Sequence, residues 1–335
     1  MTRTAFAFPA RLASGANAFD WLFALLGGWF VGGLYLDGWA HTHLASSLES
    51  FFTPWHAVLY GGFFACFLAL LLPAALRRSR VRSWREAVPR GYWPSLVGGF
   101  VFLAGGVFDL TWHELFGIEQ SISALLSPSH LTLAVGLALI VTGPLRAALP
   151  RPRLDLPALL SLGYVLALIT FFTQYAHPVI HPVASRLTDE DAQAYGIISL
   201  LLQSAVLTGA ALFAVSRWAV PFGAFTLLIA LNLLLTAALT WQPNLPALAG
   251  FSLLLGLLID GLYAWRRPGL ARPAALRAFA LAVPALFSGG YFLGLAVTGG
   301  VFWNVNLWLG SIVLSGLAGA LLCQLIAPGE SAKAD

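Results

Sequence analysis

Apolar runs of about 20 residues recur from one end of the chain to the other, separated by short polar connections. A helical run of that length, rising about 1.5 Å per residue, matches the ~30 Å hydrocarbon core of a bilayer. A helix satisfies its backbone hydrogen bonds internally, which an open sheet in lipid cannot do. The runs therefore predict an all-α, polytopic integral membrane protein. Ten spans are expected, over about 18–38, 54–76, 92–115, 128–149, 156–178, 195–216, 219–240, 246–265, 275–298 and 302–326. Only 10% of the 335 residues are charged, against roughly 25% in soluble domains.

The polar connections set the orientation. The segment 77–91 carries six arginines, 146–155 carries Arg146, Arg151 and Arg153, and 266–277 carries Arg266, Arg267, Arg272 and Arg277. With the N-terminus inside, 17 of the 18 Lys and Arg residues fall on the cytoplasmic side and Arg186 alone lies outside. Both termini are expected to be cytoplasmic, and the chain is expected in the cell (inner) membrane. The net charge of +4 thus reports topology, and no nucleic-acid partner is expected. Residues 1–16 read as a polar, partly basic lead-in rather than a short cleavable signal peptide. Cys66 and Cys323 sit inside apolar runs, which argues against a disulfide framework or a thiolate metal site.

The same orientation sorts the histidines. His41, His43, His56, His113, His130, His177 and His181 all fall at outer span ends or in outer loops. Imidazoles kept on one face point to a shared use.

Two stretches repeat a pattern: "DGWAHTHLASSLESFFTPWH" (Asp37 to His56) and "DLTWHELFGIEQSISALLSPSH" (Asp109 to His130). Asp37 and His41 are four apart, as are Asp109 and His113, so each pair shares one helix face with Cβ atoms about 5–6 Å apart. The next helix opens with Thr53-Pro54-Trp55-His56 or with Ser127-Pro128-Ser129-His130. Ser or Thr suits the N-cap and Pro the first helical position. Each hairpin would then gather one Asp and two His at its outer end. Three such ligands with an open position form a reactive metal site. The alternative is a hydrogen-bonded polar cluster lining a cavity. Nitrogen and carboxylate ligands without thiolate suit copper(II), zinc or iron. Glu49, Glu114 and Glu119 lie between the ligands, placed to orient an imidazole or relay protons.

Other polar residues carry weaker signals. His177 and His181, in "HPVIHP", would share a helix face as a third ligand set or metal-entry site, although Pro178 and Pro182 weigh against a helix there. His43 reads as a loop residue. Asp20 suits a helix N-terminus, and Asp260 an ion pair with Arg266 or a snorkelling position. Asp189, Glu190 and Asp191 suit a helix start capped by Thr188. Trp39, Trp55, Trp112, Trp241, Trp303 and Trp308 fit an outer aromatic belt, and the first three are placed to wall a substrate pocket.

"DLTWHE" and "ESFFTPWHAVLYGGF" resemble the C subunit of the particulate methane and ammonia monooxygenases, over roughly residues 30–140. The resemblance implies a helical membrane subunit that binds copper. It matches Asp37, His41 and His56 to one copper site, and Asp109, His113 and His130 to a second. Asp109 stands where that family has Asn, and the ligand spacings differ between the copies, 15 residues from His41 to His56 and 17 from His113 to His130. That family works as a three-subunit complex, and nothing here supplies its soluble copper domain.

Residues 1–150 are therefore expected to form a four-helix metal-binding unit, and 151–335 a six-helix membrane unit without an assigned role. The leading functional expectation is a copper-dependent membrane oxidase or monooxygenase acting on a small apolar substrate near the outer face. The alternatives are a metal or small-molecule transporter, or a non-catalytic membrane subunit that binds a redox partner. Partners beyond the bilayer would be a second copy of the chain or other membrane subunits.

Overall fold

The computed structural model describes residues 17–44, 52–117, 121–240 and 245–326. Among them there is no strand, only helices, turns and two isolated bridges. The main helices are α1 (Ala18–His43), α2 (Pro54–Arg78), α3 (Trp93–Phe116), α4 (Pro128–Ala148), α5 (Leu156–Phe172), α6 (Glu190–Arg217), α7 (Ala224–Thr240), α8 (Leu245–Arg266), α9 (Pro273–Thr298) and α10 (Val305–Ile326). Each expected span falls on one of them, but seven are long and apolar enough to cross a membrane. Helices α5 and α7 are apolar but have 17 residues, about 25 Å of helix.

Sequential helices pair as hairpins: α1 with α2, α3 with α4, α7 with α8, and α9 with α10. Helix α5 bridges the two halves. Its Tyr164 hydroxyl donates to Ala24 O at 2.9 Å, and the Tyr35 hydroxyl of α1 donates to Ala167 O at 2.9 Å. Its apolar residues belong to two clusters, one built on α1–α4 and one reaching from α4 to α10.

Glycines set how closely the first two hairpins pack, as expected where lipid supplies no hydrophobic drive between helices. A Cβ on Gly33 would lie 2.8 Å from the Cα of Leu59, and one on Gly62 would lie 2.7 Å from the Cα of Phe30. In the second hairpin, a Cβ on Gly105 would lie 3.3 Å from the amide nitrogen of Leu133, and one on Gly136 would lie 2.7 Å from that of Phe102. Phe30, Gly33, Asp37 and His41 are each 72 residues from Phe102, Gly105, Asp109 and His113. His56, Leu59 and Gly62 are each 74 residues from His130, Leu133 and Gly136. The duplication is therefore one of helix packing as well as of polar residues. Phe30 and Phe102 meet edge to face, with ring centroids 4.9 Å apart.

The arginine-bearing ends of the helices are tied together at the opposite end from the histidines. Arg151 pairs with Asp20 and Asp155, the Tyr92 hydroxyl donates to Asp20 at 2.7 Å, and Trp218 donates to Ala148 O at 3.0 Å. Asp20 does sit in the first turn of α1, but it is also fully buried in this clamp. Asp260 differs from expectation. Its carboxylate accepts from the backbone N–H groups of Phe225 and Thr226 and from the Thr226 hydroxyl, so it caps α7. Arg266 instead lies over the Trp265 ring. The cap of α6 is Asp189, one residue beyond the expected Thr188.

Candidate metal centre

Thr53 and Ser127 cap α2 and α4 as expected. Their hydroxyls accept from the backbone N–H of His56 at 3.1 Å and of His130 at 3.3 Å, and Pro54 and Pro128 start the helices. These starts carry His56 and His130 against the ends of α1 and α3. Two groups result in which every candidate ligand atom lies within 4.8 Å of the others: Asp37, His41 and His56, and Asp109, His113 and His130.

In the first group His41 Nε2 is 3.8 Å and His56 Nδ1 3.6 Å from the Asp37 carboxylate. In the second, His113 Nε2 is 3.6 Å and His130 Nε2 3.2 Å from Asp109 Oδ1. Ligands about 2.0–2.2 Å from a tetrahedral ion stand ~3.3–3.6 Å apart. Three of the four separations are too long for a hydrogen bond, and all are near the edge of such a coordination shell.

The hydrogen bonds around the second group fix its chemistry further. His130 Nδ1 bonds to Ala124 O, and His113 Nδ1 to Gly117 O at 3.3 Å. A carbonyl only accepts, so both Nδ1 atoms carry a proton, and in the neutral imidazoles both Nε2 atoms turn lone pairs toward Asp109. Asp109 is 1% exposed. Two lone pairs facing a buried carboxylate repel unless a proton or a metal cation lies between them. Carbonyls that accept from the outer ring nitrogen hold metal-bound imidazoles in this way. The donor set therefore fits a divalent ion. In the first group, Asp37 Oδ1 is buried without a hydrogen-bond partner among the described residues, again an acceptor suited to a cation.

Asp37, His41, His56, Asp109 and His130 line one cavity of 590 Å³. Leu133, Leu137, Phe102, Phe171 and Phe172 give it apolar walls, and Gln174, Tyr175, His181 and Tyr195 close it from the α5–α6 side. Trp39, Trp55 and Trp112 are not among its lining residues, so the expected tryptophan wall is replaced by phenylalanines and tyrosines. Trp39 instead stacks on His43 and meets Trp55 edge to face. Glu114 is exposed and does not line the cavity. Glu49 and Glu119 lie outside the described residues, as does Trp241.

His177 and His181 join neither group. Helix α5 stops at Phe172, earlier than expected. Pro178 disfavours the helical region for His177, which is extended at φ −123° and ψ 122°. The two residues therefore do not share a helix face. Burial, with the neighbouring His181, pushes the His177 imidazole down to about 3. Burial, and then Arg186, also lowers His181.

Several site residues escaped the ligand spacing. Ser129 donates to Asp109 Oδ1 at 2.7 Å. Tyr60 stacks on His56, with ring centroids 6.5 Å apart. Tyr60 lies four residues after His56, so helical spacing was its one available signal. The walls from α5 and α6 had no local signal.

The chain matches no protein-family model, no curated protein and no solved structure.

Proposed function

We propose that this protein binds two metal ions, one in each Asp-His-His group, and oxidises a small apolar substrate in the cavity they share. Copper is the proposed metal, on the resemblance of residues 30–140 and on the place of copper(II) at the top of the divalent affinity order. The observation that carries the reading is the opening of both groups into one mainly apolar cavity. Bound copper would supply redox chemistry and Lewis-acid activation of oxygen. Asp37, His41 and His56, with Asp109, His113 and His130, would hold the ions. Ala124 O, Gly117 O and Ser129 would keep the second ligand set aligned. Phe102, Phe171, Phe172 and Leu137 would bind an apolar molecule arriving from the bilayer and exclude water from around it. The arginine distribution supports a cell-membrane protein with this cavity toward the extracytoplasmic side. Electrons would come from another membrane subunit or a reduced carrier.

The test is substrate-dependent oxygen consumption by the purified protein, supplied with a chemical reductant and small hydrocarbons. Chelation should abolish the activity and copper should restore it, whereas zinc should not. Full activity in metal-stripped protein sinks the proposal.

A further inference from the structure

His177 is fully buried, and nothing in the two Asp-His-His groups uses it. Its Nδ1 accepts from the backbone N–H of Val179 at 3.2 Å. In a neutral imidazole the proton must then sit on Nε2, which makes Nε2 a donor and unfit as a metal ligand. That Nε2 is buried and has no hydrogen-bond partner among the described residues. A lone buried donor forfeits its hydration without return, so an acceptor is called for.

The residue lines a second cavity, of 10 Å³, beside Thr170, Gln203 and Asn232. That is room for about one water molecule. The partners around it are already sorted. Gln203 spends its amide N–H groups on Thr173 Oγ1 at 3.1 Å and Ala176 O at 3.2 Å. Asn232 donates its amide to Thr170 Oγ1 at 2.8 Å. Both side-chain oxygens are left as acceptors. The cavity thus offers the His177 donor and two amide-oxygen acceptors, with the Thr170 hydroxyl beside them already bonded to Asn232, and the remaining walls, Leu166 and Phe287 among them, are apolar.

We infer that this cavity holds a single internal water, which accepts from His177 Nε2 and donates to the Gln203 and Asn232 side-chain oxygens. Three hydrogen bonds are the usual complement of a buried water. The water completes a latch. Gln203 lies on α6, Asn232 on α7, and His177 on the connection after α5, so one molecule joins three elements. The same connection carries Gln174, Tyr175 and His181 into the wall of the larger cavity, and His181 N donates to His177 O at 2.9 Å. His177 is therefore a positioning residue for that wall. The inference is independent of whether the Asp-His-His groups hold metal.

The test uses the full chain in nanodiscs. A map at about 2 Å resolution should show one peak within ~2.7–3.2 Å of His177 Nε2 and the side-chain oxygens of Gln203 and Asn232. An empty cavity, a metal ion at His177 or a direct bond from Nε2 to protein would overturn the site. For the latch, amide hydrogen exchange over 174–183 is compared in wild type, His177→Phe and His177→Gln. His177→Phe fills the space without a donor and should speed exchange about tenfold. His177→Gln, which keeps an N–H donor, should recover part of the loss. Wild-type exchange in His177→Phe would overturn the latch, as would equal acceleration by both variants. The map on the wild-type protein decides the water even if a variant misfolds.

Discussion

The two Asp-His-His groups are copies in ligand type and in helix packing, yet they are finished differently. One difference lies at a single position. The second hairpin has Ser129 just before its helix-start histidine, and the first has Trp55. Ser129 donates to Asp109 Oδ1, whereas Asp37 Oδ1 has no hydrogen-bond partner among the described residues. In the second group two backbone carbonyls also fix both imidazoles with Nε2 turned inward. In the first, the Thr53 hydroxyl stands 2.8 Å from His56 Nδ1, the ring nitrogen nearest Asp37. Equal ligands therefore do not make equal sites. As proposed metal sites, the second would be held in a binding geometry before any ion arrives and the first would have to reorganise, so the second should bind more tightly and release more slowly.

The largest effect should come from deleting a ligand. His113→Ala should weaken the second site by more than ~100-fold and leave the first intact, as read by metal titration; first-site loss of the same size would merge the two. Next comes packing. Gly33→Ala presses a methyl against the backbone of Leu59, and it should lower stability by about 1–3 kcal/mol in thermal unfolding. Gly105→Ala meets first the Leu133 side chain, at 3.1 Å, which can shift, so it should be milder. Equal losses would show that the two hairpins are clamped alike.

Exchanging the finishing residues is the sharpest test of the comparison. Ser129→Ala should weaken the second site about tenfold, and Trp55→Ser should strengthen the first if the new hydroxyl reaches Asp37. Unchanged affinities in both would remove Ser129 as the cause of the difference. The smallest effect is at the caps. Thr53→Ala and Ser127→Ala should each cost about 1 kcal/mol of stability. Thr53→Ala should also weaken its metal site more, because Thr53 contacts both the backbone and the ring of His56, while Ser127 contacts the backbone N–H of His130 and the Ser129 hydroxyl but no ligand side chain.

Much of this was legible along the chain. The 3.6-residue period places Asp37 beside His41, and the Thr-Pro and Ser-Pro starts place His56 and His130. Those are local rules acting within one turn of helix. The packing repeat was present too, since Phe30 and Gly33 keep the same offset from Phe102 and Gly105 as the ligands do. Comparing polar residues alone passes over it. What the chain could not reveal are contacts set by tertiary approach. Asp260 caps a helix that begins 36 residues before it, and Asp20 meets Arg151 across 131 residues. The cavity wall from Phe171 to Tyr195 likewise depends on how α5 and α6 lie against α1. His177 and His181 would share a face only on a helix, and α5 ends at Phe172, in keeping with the weight of Pro178 and Pro182 against a helix there.

Whether the two three-ligand groups on one cavity are separate metal sites is decided by the metal content per chain of purified wild type beside His56→Ala and His130→Ala. Two equivalents are expected in wild type and one in each variant. No bound metal in wild type, or complete loss in either variant, would contradict two separate sites.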